Sequence, residues 1–128
     1  MQHILIIENV DSDRDTLDRY SEALGYKPIL ISDPSVCKAL NSGGQKCSTH
    51  KPCANILLIN KELPAIDGLS LIERQIEKDC KVASRRKALM VSAMSEQDQK
   101  KASRLGFHVL QKPVTSESLE NWLNGLEV

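Results

Sequence analysis

The sequence predicts a doubly wound α/β domain in which helices cover both faces of a five-stranded parallel sheet. Short, continuous apolar runs alternate with amphipathic stretches along the chain, and a capping or turn residue follows each run. Continuous runs are typical of strands buried on both faces, and five strand-then-helix units imply right-handed crossovers between parallel strands. The 128 residues suffice for one such domain, which we expect to span residues 1–128 as a three-layer sandwich with five helices.

The first unit starts with Ile4 to Ile7, a β-branched run that is too short for a helix and predicts a central strand. Asp11 and Ser12 offer side chains that cap the helix after it, and Gly25 is expected to end that helix. Three apolar residues fall on one face of this helix: Leu17, Tyr20 and Leu24.

The second unit is short, and a long polar loop separates it from the third. Residues 28–31 predict a strand, and a brief helix is expected after it on the pattern of Val36, Cys37 and Leu40. The polar stretch 41–52 is interpreted as an extended loop. Residues 56–59 form the third predicted strand, and helical spacing follows at Leu69, Ile72 and Ile76.

The last two units complete the pattern. Residues 88–91 predict the fourth strand, and Ser95 and Gly106 are expected to cap the two ends of the fourth helix. Residues 107–110 predict a brief fifth strand. Thr115 is expected to cap the fifth helix, whose apolar positions are Leu119, Trp122, Leu123 and Leu126.

Charge and hydropathy exclude several classes of function. Lys and Arg together number 17, as do Asp and Glu, so the net charge is zero and no overall field attracts nucleic acid. The apolar runs are far shorter than the roughly 20 residues that cross a bilayer. The start of the chain lacks the pattern of a secretory signal. We therefore expect a cytoplasmic protein with reduced cysteines that binds neither nucleic acid nor membrane.

Polar residues stand directly after several of the predicted strands. Glu8 and Asn9 follow the first strand, Asn60 follows the third, Ser92 the fourth and Lys112 the fifth. In doubly wound sheets the functional site lies beyond the carboxyl ends of the strands. We therefore expect these five residues to line one pocket. No glycine-rich phosphate loop follows the first strand, which argues against a nucleotide-binding enzyme.

With these residues in place, the chain resembles the receiver domain of two-component response regulators. The resemblance rests on the polar pair after the first strand, the Leu-Pro-Ala-Ile-Asp-Gly segment at 63–68, Ser92 after the fourth strand, and Lys112–Pro113 after the fifth. It covers nearly the whole chain. It implies a CheY-like, flavodoxin-like fold with strand order 2-1-3-4-5.

The resemblance also identifies where the phosphoryl chemistry of the family is missing. It implies an acceptor aspartate four residues before the proline of the Leu-Pro turn, and Asn60 stands there. A carboxamide is not a nucleophile that forms an acyl phosphate. The acidic pair that would hold Mg²⁺ is reduced to Glu8 and Asn9, and Glu8 opposite Lys112 leaves the pocket neutral. Mg²⁺ needs anionic oxygen ligands, so weak or absent Mg²⁺ binding is expected.

The predicted function is that of a degenerate receiver in a phosphorelay system, a signalling module rather than an enzyme. It would act by protein–protein interaction, with a histidine kinase, a downstream protein or a second copy meeting the face of the fourth helix, fifth strand and fifth helix. Trp122 would anchor that face if it is exposed. The alternative is an active receiver that uses another acceptor, such as Asp67 or Asp11.

The cysteines suggest a further alternative, a metal- or redox-sensing variant. Cys47, His50 and Cys53 lie within seven residues, and the predicted topology brings Cys80 near them. Thiolate and imidazole are the ligands that structural Zn²⁺ sites prefer. The competing interpretation is that Cys53 and Cys80 are simply packed and His50 is solvated. Cys37 is expected to pack in or beside the core.

Overall fold

The computed structural model describes residues 2–37, 46–47 and 51–126. Within these residues, five strands alternate with four α-helices. In chain order they are β1 (His3–Ile7), α1 (Asp11–Ala23), β2 (Lys27–Ile31), β3 (Ile56–Asn60), α2 (Gly68–Glu77), β4 (Lys87–Val91), α3 (Glu96–Leu105), β5 (His108–Gln111) and α4 (Ser116–Leu126).

The strands form one parallel sheet in the order β2-β1-β3-β4-β5, which confirms the predicted topology. The central strands pair in close register, with Ile7 opposite both Ile31 and Ile59. Every residue of β3 and β4 is buried, as expected of strands covered on both faces. Because all strands run the same way, their carboxyl ends meet at one edge of the domain.

Successive strand residues point to opposite faces and feed two apolar cores. The core under α2 and α3 includes Ile59, Leu71 and Leu89. The core under α1 and α4 includes Leu58 and Met90 of the sheet. Buried side chains of the two helices, such as Leu17 and Leu123, pack in the same core. The two cores hold helices on both faces of the sheet, as the sequence predicts.

Most of the predicted helix ends are confirmed, and one is wrong. Ser95 caps α3 by accepting a hydrogen bond from the Asp98 N–H at 3.1 Å, and Gly106 ends that helix with φ +85°. At α1 the cap position is Val10, whose side chain has no acceptor, and Asp11 is already helical. Asp11 therefore favours the helix through its negative charge in the first turn rather than as a cap.

The second of the five predicted helices is a single 3₁₀ turn, Pro34–Val36, so the prediction of a short α-helix there is wrong in the described part of the chain. The Asp33 side chain caps the turn by accepting from the Ser35 N–H at 2.9 Å. Cys37 already has an extended backbone, with ψ 126°, and this ends the turn after one hydrogen bond. Leu40, the last residue of the predicted pattern, lies outside the described residues.

Trp122 is buried in the core under α4, with 8% of its surface exposed. Its indole stacks on the imidazole of His108, with ring centroids 5.6 Å apart and planes 8° from parallel. Partial desolvation lowers the pKa of His108, which is otherwise exposed at the start of β5. Because Trp122 is buried, it does not anchor a partner surface in the way expected for an exposed tryptophan. No helix in the described residues is long and apolar enough to span a membrane.

Candidate functional site

The polar residues predicted at the strand ends lie together at the carboxyl edge of the sheet. Asn60 is the last residue of β3, while Glu8, Ser92 and Lys112 come directly after β1, β4 and β5. Glu8 and Asn60 are almost completely buried, and Lys112 is half-buried above them. A cleft of 510 Å³ opens beside them and is lined in part by Glu8, Asp13, Ser92 and Lys112.

Asn60 is the centre of the hydrogen-bond network in this pocket. Its Oδ1 accepts from Lys112 Nζ at 2.6 Å and from the Glu62 N–H at 3.1 Å. Its Nδ2 donates to Glu8 Oε1 at 3.1 Å and to Asn9 Oδ1 at 2.9 Å. An ammonium only donates, so Lys112 fixes which end of the amide faces it. The side chain of Asn60 is thus oriented by partners on both sides.

Glu8 is a buried carboxylic acid with one oxygen satisfied and one not. Its Oε1 accepts from Asn60 Nδ2 and also from the Val10 N–H at 3.1 Å. Its Oε2 is buried and has no hydrogen-bond partner among the described residues. Burial raises the pKa of Glu8, against the opposing effects of the Val10 N–H and the charge of Lys112. Glu8 therefore loses its proton less readily than an exposed glutamate does.

Glu62 is a pocket residue that the sequence patterns did not identify. Its Oε2 lies 3.2 Å from Lys112 Nζ, so the lysine pairs with Glu62 and meets Glu8 only through Asn60. Glu62 thus adds a second carboxylate to the pocket, and the predicted balance of Glu8 against Lys112 omits the residue with which the lysine pairs. The sequence did contain a sign of this role, because Glu62 lies two residues after the end of β3, and the carboxyl ends of the strands form the pocket.

Ser92 takes part through its backbone. Its N–H donates to Glu62 Oε1 at 3.1 Å, and its carbonyl accepts from Gln111 Nε2 at 2.7 Å. Because Gln111 ends β5 and Ser92 follows β4, these bonds tie together the ends of two neighbouring strands. The Lys112–Pro113 peptide bond that follows is cis.

The donor set is poorly suited to Mg²⁺, the cation that the fold family implies. The two oxygens that would serve a cation from β1, Glu8 Oε1 and Asn9 Oδ1, both accept from the amide of Asn60. An N–H₂ group cannot be a ligand, because it presents hydrogens instead of a lone pair. Within the described part of the pocket, the Oε2 of Glu8 is the one buried carboxylate oxygen left without a partner, and Mg²⁺ sites use carboxylates in octahedral geometry. The residues present therefore do not fit a Mg²⁺ site.

The four cysteines lie around one cavity, although the sequence grouped only Cys47, Cys53 and Cys80 with His50 and placed Cys37 apart from them. Cys47, Cys53 and Cys80 line a cavity of 290 Å³ on the α2 face of the sheet, and Cys37 lines it with them. All four are free thiols. The Cys47 N–H donates to the carbonyl of Lys78 at 2.6 Å, which holds Cys47 against the end of α2. His50, the fourth predicted metal ligand, lies outside the described residues.

Sequence comparison identifies no relatives. No family model matches the sequence, and no curated protein matches it significantly.

Structural comparison does identify neighbours. The receiver domain of a Francisella response regulator superposes with a TM-score of 0.76 at 15% identity, over 98% of this chain and 96% of that one. A CheY-like receiver domain from Methylobacillus flagellatus gives a TM-score of 0.75 at 20% identity, over 98% of both chains.

A third neighbour is the receiver domain of a Pseudomonas aeruginosa sensor histidine kinase. It has a TM-score of 0.70 and 19% identity, over 97% of this chain and 95% of that one. That structure has a magnesium ion coordinated in its active-site cleft. The fold of this chain is that of CheY-like response-regulator receiver domains, as the sequence predicts.

Proposed function

We propose that this chain is a receiver-like signalling module of a phosphorelay system that is not phosphorylated at the usual position. The observation that carries the proposal is the state of Asn60, a buried carboxamide at the end of β3 whose two ends are both engaged. A phosphoryl acceptor at this place must be a carboxylate with a free oxygen. Asn60 supplies neither the negative charge nor the free oxygen.

The fold supports the signalling part of the proposal, and the pocket supports the loss of chemistry. A non-enzymatic module of this kind acts by presenting a surface to other proteins. We propose that the surface of α3, β5 and α4 meets a histidine kinase, a downstream signalling protein or a second copy of the chain. The four free thiols suit a reducing compartment, so we place the protein in the cytoplasm.

Treatment with acetyl phosphate and Mg²⁺, followed by intact mass measurement, tests this proposal. We expect the wild-type protein to gain no phosphoryl group. Asn60→Asp supplies the missing nucleophile but leaves Asn9 in the acidic pair, so we expect it to be phosphorylated in only a small fraction of molecules. Asn121→Asp on the exposed side of α4 makes the same change in charge and should gain nothing. A phosphorylated wild-type protein contradicts the proposal.

The alternative is an active receiver with a different acceptor. The two candidates from the sequence are engaged elsewhere, since Asp11 pairs with Arg14 at 2.6 Å and Asp67 with Lys61 at 3.3 Å. Asp13 lines the cleft and is a third candidate. If the acetyl phosphate experiment yields an adduct, peptide mapping that places it on one of these aspartates would favour this alternative.

A second candidate function is a metal-sensing variant of the same module. We propose it because the cysteines share one cavity and the nearby Lys87 is a fully buried ammonium. Burial lowers the pKa of Lys87, and the sulfur atoms of Cys80, Cys37 and Cys53 oppose that effect. Thiolates bound to Zn²⁺ would supply negative charge next to this buried cation. Among the residues described, no three ligands stand close enough to share an ion, so the thiols would have to move together.

Metal analysis of protein purified without a histidine tag tests this second candidate. We expect near-stoichiometric zinc that is lost in Cys80→Ser. Cys37→Ser and His50→Ala distinguish a site of four thiols from one with an imidazole, since only one of these two variants should lose the metal. Less than about a tenth of an equivalent of any metal, before and after incubation with Zn²⁺ under reducing conditions, would exclude the site.

A further inference from the structure

The Glu62 carboxylate joins the ends of three neighbouring strands. Glu62 itself lies two residues beyond the end of β3. One of its oxygens accepts from the Ser92 N–H, after β4, at 3.1 Å. The other accepts from Lys112 Nζ, after β5, at 3.2 Å. A single side chain therefore uses both oxygens on two donors that belong to different strands.

These two donors are both satisfied by one anion with two oxygens. Ammonium and backbone N–H groups bind carboxylates and phosphates through charge-assisted hydrogen bonds. Lys112 Nζ also donates to the neutral Oδ1 of Asn60, at 2.6 Å. Glu62 is thus the only carboxylate among the described residues that lies within ion-pairing distance of this ammonium.

Glu62 is ionised at neutral pH in this setting. Burial raises the pKa of its carboxyl, but the Ser92 N–H and the Lys112 ammonium outweigh that effect and hold the pKa below its ordinary value. Its side chain is 45% exposed, so water competes with both bonds and the effect of each is moderate.

We propose that the Glu62 carboxylate is a resident anion of the pocket, an intramolecular ligand that excludes free oxyanions such as phosphate from the Ser92 N–H and the Lys112 ammonium. The inference rests on the proposed function and extends it. Asn60 explains why the pocket lacks a phosphoryl acceptor, and Glu62 explains which group binds the Ser92 N–H and the Lys112 ammonium instead. The carboxylate also fixes Ser92, whose carbonyl is held by Gln111 on the other side. The segment between β4 and α3 is therefore held in place without any external ligand.

Titration with inorganic phosphate, followed through backbone amide NMR signals at low ionic strength, tests the role of Glu62. In the wild-type protein we expect no saturable shift of the Ser92 amide. Glu62→Ala should show saturable shifts at the Ser92 amide. Its dissociation constant for phosphate should be lower than that of the wild type by about tenfold or more. Glu62→Gln removes the charge and nearly keeps the shape, so it should show weaker binding of the same kind.

Glu73→Ala is the matched control, because Glu73 also pairs with a lysine of another element, Lys101, at 3.5 Å, and lies away from the pocket. It should behave as the wild type does. Equal phosphate binding by the wild-type protein and Glu62→Ala would overturn the role of Glu62, and so would the absence of binding by Glu62→Ala and Glu62→Gln. Neither result bears on Asn60, whose test is the phosphoryl adduct, so the two proposals fail separately.

Discussion

Gly68→Ala is expected to lower the free energy of unfolding by about 3 kcal/mol, which corresponds to a fall in melting temperature of roughly 10 °C. Gly68 is the first residue of α2, and its N–H donates to the carbonyl of Lys61 at 2.8 Å. A Cβ placed on it would collide with the backbone carbonyl of Asn60 and lie 2.9 Å from Leu89 Cδ1. Backbone atoms of a buried strand do not move aside as a flexible side chain does, so the helix would have to shift.

Gly125→Ala is the matched control for this substitution. Gly125 also lies in a helix, α4, and a Cβ there meets nothing within 4 Å. We expect a small gain in stability, about 0.5 kcal/mol, because alanine favours the helix more than glycine does. Thermal denaturation followed by circular dichroism measures both. A Gly68→Ala protein that melts within about two degrees of the wild type would show that the close approach of α2 to β3 is not required.

Gln75→Leu is expected to destabilise the protein by about 3 kcal/mol, because it strands a buried charge. Lys87 begins β4 and is fully buried, and its Nζ donates to Gln75 Oε1 at 2.9 Å. No carboxylate pairs with Lys87 among the described residues. The amide of Gln75 therefore supplies an oxygen acceptor to this ammonium, which otherwise has the Cys80 sulfur, and removing the amide takes that compensation away.

The double variant Gln75→Leu/Lys87→Met should regain most or all of the lost stability, since an apolar pair of similar volume replaces the buried charge. Urea denaturation of the wild type, both single variants and the double variant gives the coupling between the two positions. A double variant no more stable than Gln75→Leu would contradict this account.

The same lysine predicts a dependence on pH. Burial lowers the pKa of Lys87 in the folded protein below its ordinary value of 10.5. At a pH between these two pKa values, the unfolded chain therefore binds more protons than the folded one. The stability contribution from this group is fully present above pH 10.5 and is lost as the pH falls through the folded value. The free energy of unfolding of the wild type, relative to that of Lys87→Met, should therefore rise as the pH is raised toward 10.5.

Much of the fold follows from local patterns in the sequence. Continuous apolar runs located all five strands, and Ser95, Gly106 and Thr115 marked helix ends that the structure confirms. These features depend on residues within one turn or strand of each other. The predicted helix near Val36 was wrong because three apolar residues in a short segment do not outweigh the extended backbone that begins at Cys37.

The pocket was predictable in its members but not in its connections. The rule that strand ends meet brought together Glu8, Asn60 and Lys112, because it depends only on topology. It could not show that Lys112 turns to Glu62 rather than to Glu8, because that choice depends on side-chain geometry a few ångströms across. Nor could it show that Lys87, at the other end of β4, is buried with no acidic partner among the described residues.

The three-way contact of Glu62 has a consequence for how such a module carries information. A protein that gains no free energy from binding a small ligand is not shifted between states by the concentration of that ligand. Under the proposed function, the concentration of free phosphate then leaves unchanged the surface that each copy presents. A signal that passes through this pocket is set by how many copies are present rather than by occupancy of the pocket.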